Sequence, residues 1–200
     1  MKLQIRLLTS IAASCLSVAS AFGAPDLKAG AAKSETCVPC HGRAGISTTP
    51  ETPSLAGQPD NFLQWQLVYF RSGVRKSPVM QPMAVSLTDN DIRNVAAWFA
   101  AQEPPTTAGK GAADPALQAA GAKIAKANRC AACHKDDFTG QPQQATPRLA
   151  AQREDYLLKA LRDFKAGTRV GGGVAAMADV VQPLGEGDFR ALAHFMANFP

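Results

Sequence analysis

Two Cys-x-x-Cys-His pentads, Cys37-Val38-Pro39-Cys40-His41 and Cys130-Ala131-Ala132-Cys133-His134, take up four of the five cysteines and two of the three histidines in 200 residues. Two thiolates at this spacing can each add to one vinyl group of a porphyrin. The histidine that follows then points its ring at the iron. The pentads therefore read as two haem c attachment sites, with Cys37, Cys40, Cys130 and Cys133 as covalent anchors and His41 and His134 as axial ligands. Competing chemistries fit less well. Cys40 and His41 are adjacent and cannot easily close one zinc tetrahedron, and no further Cys or His pair completes it. A thioredoxin-like dithiol needs a βαβ setting, and the chain has no alternating β-branched runs. A plain disulfide framework gives no reason for a histidine after each pair.

An iron held by one histidine has a second axial face, and what fills it separates electron carriers from enzymes and gas binders. Methionine is a common sixth ligand and raises the reduction potential. The candidates are Met80, Met83, Met177 and Met196. An internal repeat discriminates among them. Pro53-Ser54-Leu55-Ala56-Gly57-Gln58 matches Pro147-Arg148-Leu149-Ala150-Ala151-Gln152, at nearly the offset that separates the pentads. Aligning Leu87-Thr88-Asp89-Asn90-Asp91 with Leu184-Gly185-Glu186-Gly187-Asp188 places Met80 on Met177 and Met83 on Val180. The matched pair Met80 and Met177 is preferred, in proline- and glycine-rich loops off any helical apolar face; Met83, three residues away, is the competitor for the first site.

The elements that must position these side chains follow from the same repeat. Phe62, Leu63, Leu67, Phe70, Gly73 and Arg75 answer Tyr156, Leu157, Leu161, Phe164, Gly167 and Arg169, so each copy has an amphipathic helix ended by glycine. Thr88 with Asp91 resembles a helix N-cap, and Ile92, Val95, Ala96 and Phe99 mark one apolar face. Phe189, Leu192, Ala193 and Met196 repeat that face, behind Gly185 as a weaker cap. The opening helices, Leu27 to Ser34 and Leu117 to Ala127, are alanine-rich with few apolar landmarks. Each copy is small for a self-sufficient core, and a buried porphyrin would supply the missing apolar surface. Arg75 and Arg169 read as solvated charges with haem propionates as the alternative; His194 reads as a surface or packing residue, and Trp65 and Trp98 as core or domain-contact residues.

The chain starts with a short basic segment, Met1 to Arg6, then an apolar stretch from Leu7 to Ala19 and a small-residue cleavage site near Ala21. This predicts a cleaved secretory signal peptide and a periplasmic protein. The domain reading is signal peptide 1–23, first domain 24–103, linker 104–115 around Pro104 and Pro105, and second domain 116–200. The formal charge of +5 includes Lys2 and Arg6 of the signal, and haem propionates would offset most of the rest. Basic residues are scattered, which argues against nucleic acid; a loose association with a membrane surface stays open.

Taken together, the pentad, Pro-x-Leu-Ala-Gly-Gln with its aromatic-Leu helix running to Gly-x-Arg, and Met-x-x-(apolar)-Ala-x-x-Leu-(Ser/Thr)-Asp, all duplicated, resemble the di-haem cytochromes c4. The resemblance implies an all-α fold of two tandem class I cytochrome c domains related by a pseudo-two-fold axis, each wrapped round one covalent haem with propionate edges near each other. It implies His/Met ligation of both irons and hydrogen bonds from His41 and His134 to the carbonyls of Pro53 and Pro147. Lys135 for Gly42, Ala151 for Gly57 and Val180-Val181 for Met83-Ala84 depart from the first copy. The implied function is single-electron transfer, not enzymatic catalysis, with a quinol-oxidising complex or dehydrogenase as donor and a terminal oxidase as acceptor. Alternatives are the di-haem subunit of a periplasmic flavocytochrome-type dehydrogenase and, with less support, a haem peroxidase or gas sensor, which would need an open iron face.

Overall fold

The computed structural model describes residues 23–106 and 113–199. The expected signal peptide and the middle of the expected linker lie outside the described residues. Among the described residues ten α-helices run in chain order: α1 Leu27–Ser34, α2 Val38–His41, α3 Asp60–Arg71, α4 Met80–Ala84, α5 Asp89–Ala100, α6 Pro115–Ala127, α7 Ala131–His134, α8 Glu154–Lys165, α9 Val174–Val181 and α10 Glu186–Ala197, with a 3-10 turn at Pro142–Gln144. No strand occurs among the described residues beyond an isolated bridge between Gln141 and Thr146.

The five helices of the first half recur in the second. In each, the opening helix crosses the closing one, α1 on α5 and α6 on α10, and the closing helix also packs on α3 or α8. Glycine permits the first crossing: a Cβ on Gly30 would run into the Asn94 carbonyl, and one on Gly121 into the Ala191 carbonyl. The opening helices start the same way. Asp26 accepts from the amides of Lys28 and Ala29, and Asp114 from those of Ala116 and Leu117. The amides of Asp26 and Asp114 are themselves satisfied from the closing helices, by Asn94 Oδ1 at 2.9 Å and His194 Nε2 at 3.0 Å. His194 is buried, with Nδ1 3.1 Å from Glu154 Oε2; it is the packing residue the sequence suggested.

Helix α5 opens on a full capping box, Thr88 accepting from the Asp91 amide and Asp91 from the Thr88 amide. Helix α10 keeps only the Asp188 half, because Gly185 has no side chain to return the bond. Helices α3 and α8 end as expected, at Gly73 with φ +72° and Gly167 with φ +67°. The two halves differ in their apolar cores. Leu63, Val95, Ala96 and Phe99 form the buried core of the first, joined by Leu55, Phe62, Leu67 and Trp98. The second is larger and contains an edge-to-face trio of Phe138, Phe195 and Phe199. Trp98 is a core residue, one of the two places anticipated; Trp65 is not in the core, being half exposed and stacked on Tyr69 with centroids 5.6 Å apart.

Candidate haem sites and the seam between them

Each pentad ends in a single helical turn, α2 or α7, that starts just after the first cysteine, carries the second and delivers the histidine inward. His41 and His134 are each 6% exposed. His41 Nδ1 lies 2.9 Å from the Pro53 carbonyl and His134 Nδ1 3.0 Å from that of Pro147. A carbonyl only accepts, so Nδ1 carries the proton and donates, and Nε2 keeps the lone pair a metal needs. Burial lowers the pKa of both rings and the carbonyl bond opposes it, which favours the neutral, ligating form.

The loop that supplies the carbonyl is itself tied down. The Gly45 carbonyl accepts from the amides of Leu55 and Ala56, and the Phe138 carbonyl from those of Leu149 and Ala150. The next amides, on Gly57 and Ala151, reach the closing helices at the Phe99 and Met196 carbonyls. Three positions that are glycine in the first copy, Gly42, Gly45 and Gly57, are Lys135, Phe138 and Ala151 in the second, and all six have positive φ. The backbone path is thus conserved across the duplication even where the residue type resists it.

All four described cysteines are free. Burial pushes the thiols of Cys37 and Cys130 up from their ordinary value, the reverse of what a redox-active dithiol needs. Among the described residues no three His, Cys, Asp or Glu side chains converge as a metal cluster, so the zinc reading has no donor set. Paired thiols beside a buried imidazole with a free Nε2 fit a covalent haem.

The methionines sit differently from the sequence reading. Met80 is the first residue of α4 and Met177 lies within α9, so both are on short helices and not in irregular loops. The prolines and glycines that suggested loops occupy the residues just before these helices. Met177 packs, partly buried, against the same core cluster as Cys130, Leu161 and Phe164. Met80 is partly buried, whereas Met83 is 42% exposed.

Between the halves lies a seam that repeats the same contact twice. Gln152 accepts from the Ser54 amide and donates to the Ser54 carbonyl, both at 2.8 Å. Gln58, its counterpart, accepts from the Arg148 amide at 3.0 Å and donates to the Arg148 carbonyl at 2.9 Å. Such an exchange of equivalent residues is what a pseudo-two-fold axis produces. Arg153 also donates to the Ser47 carbonyl, and Asp155 accepts from the Glu51 amide.

Nearby, Arg75 and Arg169 lie over the rings of Phe70 and Phe164, at 4.6 and 4.5 Å from the centroids. Arg169 is 8% exposed, which overturns its reading as a solvated charge. Both guanidiniums reach the Tyr156 phenol. Burial alone would raise that phenol's pKa, but Arg169 and then Arg75 outweigh it and bring it down to about 8.

Known proteins resemble this chain over most of its length. Residues 118–200 match the family described as cytochrome c, and residues 25–99 the family described as cytochrome c oxidase, cbb3-type, subunit III. Over 184 residues the chain is 32% identical to cytochrome c4 of Pseudomonas aeruginosa, covering 88% of this chain and 90% of the relative. The chain belongs to the cytochrome c4 family. The crystal structure of reduced recombinant cytochrome c4 from Pseudomonas stutzeri superimposes with a TM-score of 0.81 at 31% identity, covering 88% of this chain and all of that one. A protein named thiosulfate dehydrogenase electron acceptor, from Stutzerimonas stutzeri, is 31% identical over 170 residues, 81% of this chain and 78% of the relative. As a cytochrome c4, the chain has two cytochrome c domains, each with covalent haem c on its Cys-x-x-Cys-His motif, and works in electron transfer and not as an enzyme.

The seam residues carry the weakest signal in the sequence. Gln58 and Gln152 end a repeated hexapeptide that announces no role for them. Their spacing from Pro53 and Pro147 was the available signal, because a residue so close to the histidine's carbonyl partner is held wherever that carbonyl is held.

Proposed function

We propose that His41 and Met80 are the axial ligands of the first haem iron and His134 and Met177 those of the second, and that the protein is a periplasmic carrier of single electrons between a respiratory donor and an acceptor. The observation that carries this is the repeated histidine geometry: two buried rings, each fixed by a backbone carbonyl in the tautomer that presents Nε2, with a methionine at the matched place in each copy. When bound, haem supplies an iron that cycles between ferric and ferrous. The chain's contribution is constancy. Pro53 and Pro147 hold the imidazoles through backbone carbonyls. Filled axial positions would leave no site for substrate, which favours a carrier over a peroxidase.

The division of the chain into a first domain 24–103, a linker 104–115 and a second domain 116–200 is part of this reading, as is export by the basic-apolar segment 1–23. No helix among the described residues is long and apolar enough to cross a membrane. Donors of the quinol-oxidising or dehydrogenase type and a terminal oxidase as acceptor fit a protein with two haems and no catalytic site. The deciding experiment replaces methionines singly in the holoprotein. Met80→Ala and Met177→Ala should each remove half of the sulfur-to-iron charge-transfer absorption, and Met83→Ala none. Retention of both bands in Met80→Ala with loss in Met83→Ala would reassign the first site.

The likeness to a thiosulfate dehydrogenase electron acceptor favours a second reading, in which this chain receives electrons as the cytochrome partner of a periplasmic dehydrogenase. Copurification with a dehydrogenase subunit would support it, and a monomer by light scattering in extracts would count against it.

A further inference from the structure

The two methionines are seated by different means. In the first copy the hydrogen bonds that seat Ser77 and Met80 at the start of α4 are local. The Met80 amide donates to Ser77 Oγ at 3.0 Å, and the Ser77 amide to Gln81 Oε1 at 3.1 Å. Arg75, at the start of that approach, is held by Gln66 Oε1 of the same half at 2.5 Å and also reaches the Tyr156 phenol of the second half.

The second copy has three more residues between its arginine and its methionine, since Arg169 to Met177 is longer than Arg75 to Met80 by that number. The extra length is the run Gly171-Gly172-Gly173, and it lies against the first half. The ring of Tyr69 covers Gly171 closely enough that a Cβ there would come within 2.9 Å of Cδ2, and a Cβ on Gly172 would overlap the phenol oxygen. Gly171 has φ +127° and Gly173 φ +75°, so the run takes a path open to glycine. Gln66, three residues before Tyr69 and on the same face of α3, is 3.5 Å from Arg169 Nη2. Gly173 then caps α9, whose fourth residue is Met177. The residue that matches Tyr69 in the second copy is Asp163, whose carboxylate pairs with Lys159 of its own helix. At this position the contact runs from the first half to the second only.

We propose that Tyr69 is a positioning residue for Met177: the first domain holds the second domain's glycine run, and through it the start of α9, so that seating of the second methionine depends on the Tyr69 contact while seating of the first does not. This rests on the reading of Met177 as ligand. Loosening the seam at Tyr69 then exposes one iron face, on the second haem only.

The test uses holoprotein in which one band is isolated. In a Met80→Ala background the remaining sulfur-to-iron absorption reports Met177 alone. Adding Tyr69→Ala should remove most of it and allow the reduced second haem to take up carbon monoxide beyond that bound at the Met80→Ala site. Gly172→Ala, which displaces the ring without removing it, should do the same, and Tyr69→Phe should keep the band. In a Met177→Ala background Tyr69→Ala should leave the Met80 band intact. Tyr69→Ala and Gly172→Ala proteins that keep the Met177 band would overturn the proposal, as would loss of the Met80 band. If Met177→Ala alone retains both bands, the ligand reading itself fails and this inference with it.

Discussion

Gln152 closes a two-bond ring on the backbone of Ser54, in the opposite domain, and Ser54 directly follows the proline whose carbonyl holds His41. The reciprocal pair, Gln58 on Arg148, stands in the same relation to His134. Each domain thus clamps the strip of backbone that orients the other's imidazole. The interface and the ligand geometry are one construction, separated by a single peptide unit.

That arrangement makes the glutamines costly to lose. Gln58, Gln152 and Ser54 are each 4% exposed, so Gln152→Ala strands an amide and a carbonyl that water reaches poorly. Unpaired buried groups cost about 1–3 kcal/mol. Gln152→Ala and Gln58→Ala should each lower the unfolding free energy by about 2 kcal/mol in urea titrations of the holoprotein. A loss below about 0.5 kcal/mol, the size of an ordinary surface substitution, would show that water replaces the amide.

Tyr156 gives the seam a pH dependence of known sign. Its phenol titrates at about 8 in the fold, set by Arg169 and Arg75 against the opposing effect of burial, and near 10 in an unfolded chain. Between those values the folded state has released a proton that the unfolded state retains, so stability rises with pH. The contribution is complete above about 10 and lost as pH falls through 8. After allowance for screening it is on the order of 1–2 kcal/mol. The stability difference between the parent and Tyr156→Phe should widen from pH 7 to 10. A flat difference would mean that the arginines are committed elsewhere in the holoprotein, with haem propionates the obvious competitors.

Lys135 is a site where the second domain can be improved. It occupies φ +65°, ψ +167° at the end of α7, where the first domain has Gly42 at φ +81°, ψ +155°. That region is nearly confined to glycine, and an L side chain there costs about 1–3 kcal/mol. Lys135→Gly should raise stability by about 1 kcal/mol after the extra entropy of glycine in the unfolded chain is subtracted, seen as a higher midpoint in thermal or urea melts. A destabilised variant would mean that the lysine side chain makes compensating contacts with the bound group.

Much of this was readable from spacing alone. The pentads located both histidines, and the duplicated Pro-x-Leu-Ala stretch located their carbonyl partners because backbone geometry repeats when sequence does. Helices α3, α5, α8 and α10 bury periodic large residues, so their faces showed. The pentad turns α2 and α7 are too short for any period to register, and proline and glycine beside Met80 and Met177 concealed α4 and α9, which begin just after these breakers. Arg169 looked solvated because nothing local announces that Phe164 lies beneath it and that Tyr156 lies beside it. Contacts between the domains, such as Tyr69 on Gly172, have no local pattern.

The opening helices were indistinct for a reason that yields the sharpest stability prediction. They carry few large apolar residues because they dock through glycine, with the partner helix's backbone where a side chain would stand. A Cβ on Gly30 would overlap the Asn94 carbonyl and touch Trp98 Cβ at 3.0 Å; one on Gly121 would overlap the Ala191 carbonyl and Phe195 Cβ. The obstacles are main-chain atoms within a helix, which cannot swing aside as a side-chain tip can. Alanine normally stabilises a helix interior by about 1 kcal/mol over glycine, so propensity and packing make opposite predictions here. Overpacking costs typically 1–3 kcal/mol and more where backbone must shift, so packing should win. Gly30→Ala should destabilise the first domain and Gly121→Ala the second, each by about 2 kcal/mol or more, with the helicity of the folded protein unchanged. Stabilisation by either substitution would show that the crossing can open at little cost and that these glycines are not what brings the first and last helices of each domain together.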